Sequence, residues 1–332
     1  MKKILNAPFA YAQETLDGLC LAFPQYYRFA KDSRRVIVRS TPRKAGKVGI
    51  VSGGGSGHLP VFTGYVGAGF LDACAVGDVF AAPSADDMAI AMREANAGAG
   101  VLRLYGNYGG DVMNFDMAGE FVAMEDIAST TVLLTDDVAS ADEASRQKRR
   151  GVAGMVYAFK IAGAAAEAGL NLDGVTKVAQ RTADACRSIG VALTPCTVPQ
   201  VGKPTFSVGE SEMEIGMGIH GEPGVHRGPM QPADQIVDTM MDHLLAGASV
   251  GRGARVSVLV NSLGATPVEE LLIMYRRIHA RLADIGASIV QPLVGRYATS
   301  MEMTGASVTV LQLDAELERY LAAPADCAFW RV

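Results

Sequence analysis

Short apolar runs that stop at glycine alternate with amphipathic stretches along the first half of this chain. Lys47 to Ser52 (KVGIVS) is apolar and runs into Gly53, the pattern of a buried strand that feeds a loop. Ser84 precedes Asp86 and Asp87, which predicts an N-cap with acid in the first turn of a helix reaching about Asn96. Val101 to Tyr105 predicts the next strand, and the loop Gly106-Asn107-Tyr108-Gly109-Gly110-Asp111 follows it. A helix is predicted from Asp111 to Ile127 and another strand from Thr130 to Thr135. Alternating strands and helices, with glycine loops after the strands, predict an α/β sheet that binds ligands beyond the carboxyl ends of its strands.

The second half repeats the alternation. Gly151 to Gly169 is Ala-rich and predicts a helix, and Asp173 to Ile189 a second one. Val191 to Val198 opens a new sheet region. Pro232 to Ala246 is predicted helical and Val256 to Asn261 extended. Thr266-Pro267-Val268-Glu269 has the form of a capping box with proline at the first helical position, opening a helix to about Ile285. Ser288 to Val294 and Ser307 to Leu313 complete the predicted strands. The pattern predicts two α/β domains, residues 1–188 and 189–332, with no internal repeat or long linker.

Composition narrows the function classes. With 332 residues, 49% hydrophobic and 20% charged, the chain is an ordered globular protein with ample core. A net charge of −5 argues against nucleic acid as the main partner, since phosphate binding needs a basic surface. The five cysteines (Cys20, Cys74, Cys186, Cys196 and Cys327) form no C-x-x-C pair, which fits reduced thiols better than a disulfide framework or structural zinc. Lys2 and Lys3 precede a short apolar run, but Glu14 and Asp17 follow too soon for an export signal. No stretch approaches the roughly 20 apolar residues of a membrane span. The expectation is a soluble, cytoplasmic protein with no membrane partner.

The chemistry gathers in three glycine-bounded segments. Ser52-Gly53-Gly54-Gly55-Ser56-Gly57-His58 follows a predicted strand, yet lacks the lysine of a P-loop and the spacing of a dinucleotide fingerprint. It reads either as a bare glycine turn or as a ligand loop that delivers His58. Asp111 closes the second segment, as an N-cap or as a general base near a substrate hydroxyl. His220, within Gly218-Ile219-His220-Gly221-Glu222-Pro223-Gly224, is open to three roles: metal ligand, general base or nucleophile. Between glycines, His58 and His220 both look presented rather than packed. His58, His220, His226 and Asp111 could supply zinc ligands, but no H-x-x-x-H or H-E-x-x-H spacing supports that, and no metal is expected. A neutral imidazole can attack a ketone carbonyl to give a hemiaminal. His226 reads as solvated; His243 and His279 fall on predicted helices as ordinary helix residues.

Taken together, these segments resemble the substrate-binding K subunit of dihydroxyacetone kinase. Besides them, Arg149-Arg150-Gly151-Val152-Ala153, Cys196-Thr197-Val198-Pro199, Gly202-Lys203-Pro204, Asn261-Ser262-Leu263-Gly264-Ala265-Thr266-Pro267 and Ser300-Met301-Glu302-Met303-Thr304-Gly305 carry the resemblance, in order, over essentially the whole chain. The resemblance implies two α/β domains, assembled as a homodimer. It implies that His220 holds a short ketose as a hemiaminal, that Asp111 is the base on the terminal hydroxyl, and that His58 hydrogen-bonds near the reacting end. Gly55, Ser56 and Gly57 would line the substrate pocket. The nucleotide, ATP or ADP with magnesium, would sit on a separate L subunit, recharged from solution or by a phosphotransferase-system protein. No cofactor is expected on this chain itself.

Two positions depart from the family pattern. Leu59 stands where many relatives have glutamate, and Gly106 where dihydroxyacetone enzymes carry a substrate-contacting lysine. Loss of that lysine removes a charged donor and would leave room in the pocket. Both changes favour a larger short ketose such as erythrulose over dihydroxyacetone. The stretch Ala246 to Arg255 also looks shorter than in some relatives. The alternative reading is a paralogue that binds a ketone and acts as a coactivator without phosphorylating anything.

Overall fold

The computed structural model describes residues 2–248 and 250–331. The chain divides into two compact units, and neither is continuous in sequence. Unit 1 holds the residues up to Leu134, then Met155–Ala183, then Leu317 onward; unit 2 holds Thr135–Gly154 and Asp184–Glu316. The sequence reading placed a single crossing at 188/189, whereas the chain crosses after Leu134, Gly154, Ala183 and Glu316. Contacts between segments far apart in sequence set these crossings, and no local composition shift marks them.

Unit 1 is built on a six-stranded sheet. Its strands are β1 (Tyr27–Phe29), β2 (Val36–Arg39), β3 (Gly49–Ser56), β4 (Ala73–Val79), β5 (Val101–Gly106) and β6 (Ser129–Leu134), in the order β1-β2-β4-β3-β5-β6. β3 pairs in parallel with β4 and β5, and β5 with β6, while β1 and β2 add an antiparallel edge. The helices are α1 (Tyr11–Ala22), α2 (Ala85–Ala95), α3 (Gly109–Ala123), α4 (Gly154–Glu167) and α5 (Leu172–Ala185). Val36, Val38, Val51, Ala73 and Ala75 pack with Met88, Met92, Phe115 and Val122 of α2 and α3. The alternate strand residues Ile37, Ile50, Leu102 and Leu104 are equally buried, so both faces of the sheet are covered, as parallel strands require. Ser84 caps α2 as its sequence predicts, accepting from the Asp87 backbone N–H at 3.1 Å.

Unit 2 carries a second six-stranded sheet. Its strands are β7 (Cys186–Thr194), β8 (Glu212–Ile215), β9 (His226–Pro229), β10 (Arg255–Ser262), β11 (Ser288–Gly295) and β12 (Thr304–Leu313), ordered β11-β10-β12-β7-β8-β9. Helices α6 (Ala233–Leu245) and α7 (Val268–Asp284) cover it through Val237, Met240, Met241, Leu271, Ile278 and Leu282. The helix expected to reach Ile189 ends at Ala185, and the strand expected from Val191 begins at Cys186. The capping box predicted at Thr266 does not form. Pro267 is the N-cap, and the Thr266 hydroxyl instead donates to the Gly305 carbonyl at 2.6 Å and accepts the Gly305 N–H at 2.8 Å. Helix α8 (Ala315–Leu321) and a small ladder of β13 (Asp326–Cys327) and β14 (Trp330–Arg331) follow.

The end of the chain belongs to unit 1. Asp326 N–H donates to the Ala68 carbonyl at 2.9 Å, the Trp330 ring meets Phe70 edge-on, and buried Lys160 donates to the Tyr320 carbonyl at 2.7 Å. A further buried cluster braces β2 and β3. Asp72, fully buried, accepts from Arg39 at 3.1 Å, Lys47 at 2.6 Å and the Ile50 backbone N–H at 2.9 Å. Removing one member of such a cluster strands the opposite charges in the interior. Asp72→Ala is therefore expected to cost about 3–5 kcal/mol of stability. Chemical denaturation checks this, and a loss below about 1 kcal/mol would show that Arg39 and Lys47 find other partners. No helix among the described residues is long and apolar enough to cross a membrane.

Candidate active site

In unit 1 the chemistry collects at the carboxyl ends of β3 and β5. The chain runs from β3 outward to β4, then returns past β3 to β5, so the strand order reverses between β3 and β5. At such a switch point the two outgoing loops diverge and leave a crevice for a ligand. His58 follows β3 and Asp111 follows β5. The loop after β4 packs between them: the Phe80 ring lies on His58, and the Asn114 amide of α3 donates to the Pro83 carbonyl at 2.7 Å.

The glycine segment is mostly strand, because β3 extends through Ser56. Its glycines make room for the protein's own atoms. A Cβ at Gly54 would run into the Phe62 ring, and one at Gly55 would lie 2.7 Å from Ala81 N and Phe80 Cα. The Ser56 hydroxyl donates to the Gly77 carbonyl at 2.8 Å, tying the ends of β3 and β4 together. Gly57 then takes φ +102°, a left-handed conformation open to glycine, and turns the chain into His58.

His58 is packed, not presented as its sequence setting predicts; it is 1% exposed. Its ring stacks on Phe80 at 4.8 Å and meets Phe62 edge-on at 6.2 Å. Phe62 and Phe80 hold φ of 66° and 60°, a region bulky side chains avoid because Cβ crowds the backbone. Two strained aromatics thus fix the orientation of one imidazole, as happens where surrounding structure over-determines a functional group. A small cleft of about 30 Å³ reaches this ring, lined by Thr15, Leu16, Gly55, Ser56, Leu59 and Thr63 among others.

Asp111 is not the N-cap of its helix. Tyr108 holds that position, and Asp111 sits in the first turn of α3, 9% exposed. There the exposed N–H dipoles of the helix start favour a negative charge. Gly106 closes β5, and the space expected beside it is filled. A Cβ there would lie 3.1 Å from the Tyr108 ring and 3.2 Å from Met155 Sδ. The Tyr108 ring and Met155 thus take up the space next to the Gly106 backbone.

In unit 2, His220 lies in the turn between β8 and β9. The Gly221 N–H donates to the Gly218 carbonyl at 3.1 Å, and Gly221 takes φ +87°, so the segment folds back on itself. This brings Glu222 under the imidazole: one carboxylate oxygen lies 3.0 Å from His220 Nδ1, and the other accepts the His220 backbone N–H at 3.0 Å. Burial pushes the Glu222 carboxyl upward, but the His220 hydrogen bond and charge, with Arg150 nearby, outweigh it and hold it at about 2. An ionised carboxylate only accepts hydrogen bonds. A neutral His220 ring therefore keeps its proton on Nδ1 and directs the Nε2 lone pair away from Glu222. The Ser300 hydroxyl fixes the base of the turn by donating to the Ile219 carbonyl at 2.5 Å.

Behind Glu222 stands Arg150. Its Nε and Nη2 reach Asp137 at 2.9 and 2.8 Å, and its Nη1 lies 3.8 Å from Glu222. Burial pushes the Asp137 carboxyl up to about 6, against the opposing pull of Arg150, and the neighbouring Asp136 adds to the rise. Gly218 admits this group: a Cβ there would press on the Glu222 carboxylate and lie 2.6 Å from Arg150 Nη1. Sequence reasoning assigned Glu222 and Arg150 no role. The i, i+2 placement of an acid beside His220 is a signal too short to interpret without the turn. His226 is exposed on β9, and His243 and His279 are exposed on α6 and α7. Among the described residues, no three His, Cys, Asp or Glu side chains gather to hold a metal ion.

Residues 17–329 match the Dak1 domain family. The chain is 44% identical over 332 residues, covering all of both chains, to the PTS-dependent dihydroxyacetone kinase 2, dihydroxyacetone-binding subunit DhaK of Listeria innocua. It is 44% identical over 326 residues to the D-erythrulose kinase of Mycolicibacterium smegmatis, covering 98% of this chain and 56% of that one. Among solved structures, the dihydroxyacetone kinase of C. freundii superposes with a TM-score of 0.89 at 32% identity, over 99% of this chain and 60% of that one. The dihydroxyacetone kinase operon co-activator DhaQ superposes with a TM-score of 0.88 at 30% identity, over 96% and 98%. The chain thus matches the full length of the Listeria subunit but little more than half of the two longer kinases. A match of this extent and identity establishes that the chain belongs to the Dak1 domain family.

Proposed function

We propose that this chain is the ketose-binding subunit of a dihydroxyacetone-type kinase. The observation that carries the reading is the Glu222–His220 pair, 3.0 Å apart, a geometry that in the neutral ring puts the proton on Nδ1 and the lone pair on Nε2. The 44% identity to both a dihydroxyacetone-binding subunit and an erythrulose kinase supports it. In this reading Nε2 attacks the ketone carbon, the carbonyl π pair moves onto oxygen, and a carbon–nitrogen bond forms. Glu222 stabilises the positive charge the ring gains. The proton balance closes with the Nδ1 proton lost from the ring and the former carbonyl oxygen left as a hydroxyl. A polyol has no carbonyl carbon to attack and is rejected on that ground.

Asp111 then accepts the proton of the terminal hydroxyl as its oxygen attacks phosphorus, with the bond to the leaving nucleoside phosphate breaking in line. His58, held by Phe62 and Phe80, donates or accepts a hydrogen bond near the reacting end. Gly55, Ser56 and Gly57 shape the pocket beside it, and Gly106 sets its local size through Tyr108 and Met155. The nucleotide is placed with magnesium on a separate L subunit, either as ATP taken from solution or as bound ADP that a phosphotransferase-system protein converts to ATP before each transfer. The chain itself is assigned no cofactor, and it is proposed to act as a cytoplasmic homodimer.

The substrate is a short ketose, dihydroxyacetone or a four-carbon relative such as erythrulose. Mixing the purified chain with L-type partners of both donor kinds, their donors and a panel of three- to five-carbon ketoses tests this. Phosphorylated product from at least one ketose is the expected result, with none from the matching polyols. No transfer to any ketose, together with retained ketose binding, would favour the coactivator reading, which the fold shared with DhaQ keeps open.

A further inference from the structure

The buried charges behind the His220 turn have no part in the reaction as drawn so far. Arg150 lies between two acids, on Asp137 at 2.8 Å and near Glu222 at 3.8 Å, with its Nη2 also 3.4 Å from the Gly216 carbonyl at the start of the turn. It comes from the segment between β6 and α4, not from the turn it touches. Asp137 is 3% exposed and is itself anchored, since its carboxylate accepts the Ala139 N–H at 3.2 Å and its backbone N–H donates to the Arg150 carbonyl at 3.1 Å. The adjacent Asp136 accepts from the Val152 and Gly154 N–H groups at 3.0 and 2.8 Å and from the Ser188 hydroxyl at 2.5 Å. The guanidinium is therefore set by a rigid, fully hydrogen-bonded frame. Glycine at 218 leaves the space through which it approaches Glu222.

We propose that Arg150, anchored by Asp137, is a positioning residue that keeps Glu222 turned onto His220 Nδ1, and so sets the tautomer of the ketose-capturing ring. Without the guanidinium beside it, the Glu222 carboxylate could swing off Nδ1, and the ring proton would then be free to sit on Nε2. That tautomer has no lone pair on Nε2 to offer a carbonyl. The chain of charges Asp137–Arg150–Glu222 thus acts through His220 without touching the substrate. An arginine suits the place because its fork bridges two carboxylates at once and stays charged at all working pH.

The inference rests on the proposed role of His220, but its first test does not need a ketose. Nitrogen-15 NMR of the ring nitrogens in ketose-free protein is expected to show the Nδ1–H tautomer in the wild type. In Arg150→Met it is expected to show a substantial Nε2–H population. An unchanged His220 spectrum in Arg150→Met would overturn the proposal. The second test is ketose affinity, expected to fall about tenfold in Arg150→Met, the scale seen when partners behind a functional histidine are removed. Arg150→Lys, which keeps a cation, should recover part of that loss. In a double-mutant cycle, adding Arg150→Met to Glu222→Gln should weaken binding less than about twofold further. Losses that simply multiply would mean that Arg150 does not work through Glu222. If Arg150→Met does not fold, Asp137→Asn, which replaces the charged two-point anchor of the guanidinium with a neutral amide, serves in both tests with a smaller shift in the same direction. A tautomer that shifts in a protein whose wild type captures no ketose would leave this inference standing and remove the proposed function instead.

Discussion

Asp111→Ala is expected to lower the phosphoryl-transfer rate by about 10³-fold or more while leaving ketose capture within about twofold of wild type, the separation expected when only the general base is removed. The reasoning is positional. Asp111 sits in the first turn of α3, where the helix start favours its charged form, at the carboxyl end of β5 beside the point of strand reversal. In the proposed mechanism, capture of the ketone uses the lone pair of His220 and needs no base at the far end of the sugar. Rate should therefore fall through kcat, with the dissociation constant for ketose nearly unchanged. Asp111→Asn preserves shape and hydrogen bonding but cannot accept the proton, so it should resemble Asp111→Ala in rate. Turnover near wild type in either variant would take Asp111 out of the mechanism, and loss of ketose binding in both would recast it as a binding group.

His220→Ala is expected to abolish covalent capture altogether. With carbonyl-labelled carbon-13 ketose, the wild type should convert the ketone resonance into that of a tetrahedral carbon, and the variant should leave it unconverted. The effect on turnover should be of the order of 10³-fold or greater, because the substrate loses both its anchor and its placement. His220→Gln keeps a polar side chain without a nucleophilic nitrogen and should be equally inactive in capture. A tetrahedral signal that survives His220→Ala would assign the carbon–nitrogen bond to another residue. The two variants should also be distinguishable from one another. Asp111→Ala accumulates captured ketose, whereas His220→Ala holds little or none.

How much of this could be read in the sequence depends on the range of the interaction concerned. Ser84 was legible because its cap bond closes within a few residues. The end of β5 was legible, expected at Tyr105 and found at Gly106, whereas β3 continues past its apolar run through Gly53, Gly54 and Gly55 to Ser56, which the sequence reads as loop. Thr266 misled for the opposite reason: its local motif is sound, but β12 offers Gly305 as a better partner for the hydroxyl. His58 reads as a presented side chain because a run of glycines leads into it, while the rings that bury it come from Phe62 and Phe80, the latter brought in by β4. The candidate residues His58, Asp111 and His220 were visible as residue types at strand-end or turn positions. Their supports were not. Glu222 reaches His220 only after the turn through Gly221 folds back, and Arg150 arrives from another segment of the chain. Neither fact leaves a periodic or compositional trace.

The return of the final segment to unit 1 has a consequence for dissecting the molecule. Unit 1 is assembled from three separate stretches of chain, so no single contiguous fragment contains it. A fragment that stops before Leu317 would take the Trp330 ring from Phe70, the Asp326 N–H from the Ala68 carbonyl and the Tyr320 carbonyl from Lys160. An ammonium left in the interior without an acceptor is costly, so such a fragment is a poor stand-in for the unit it came from.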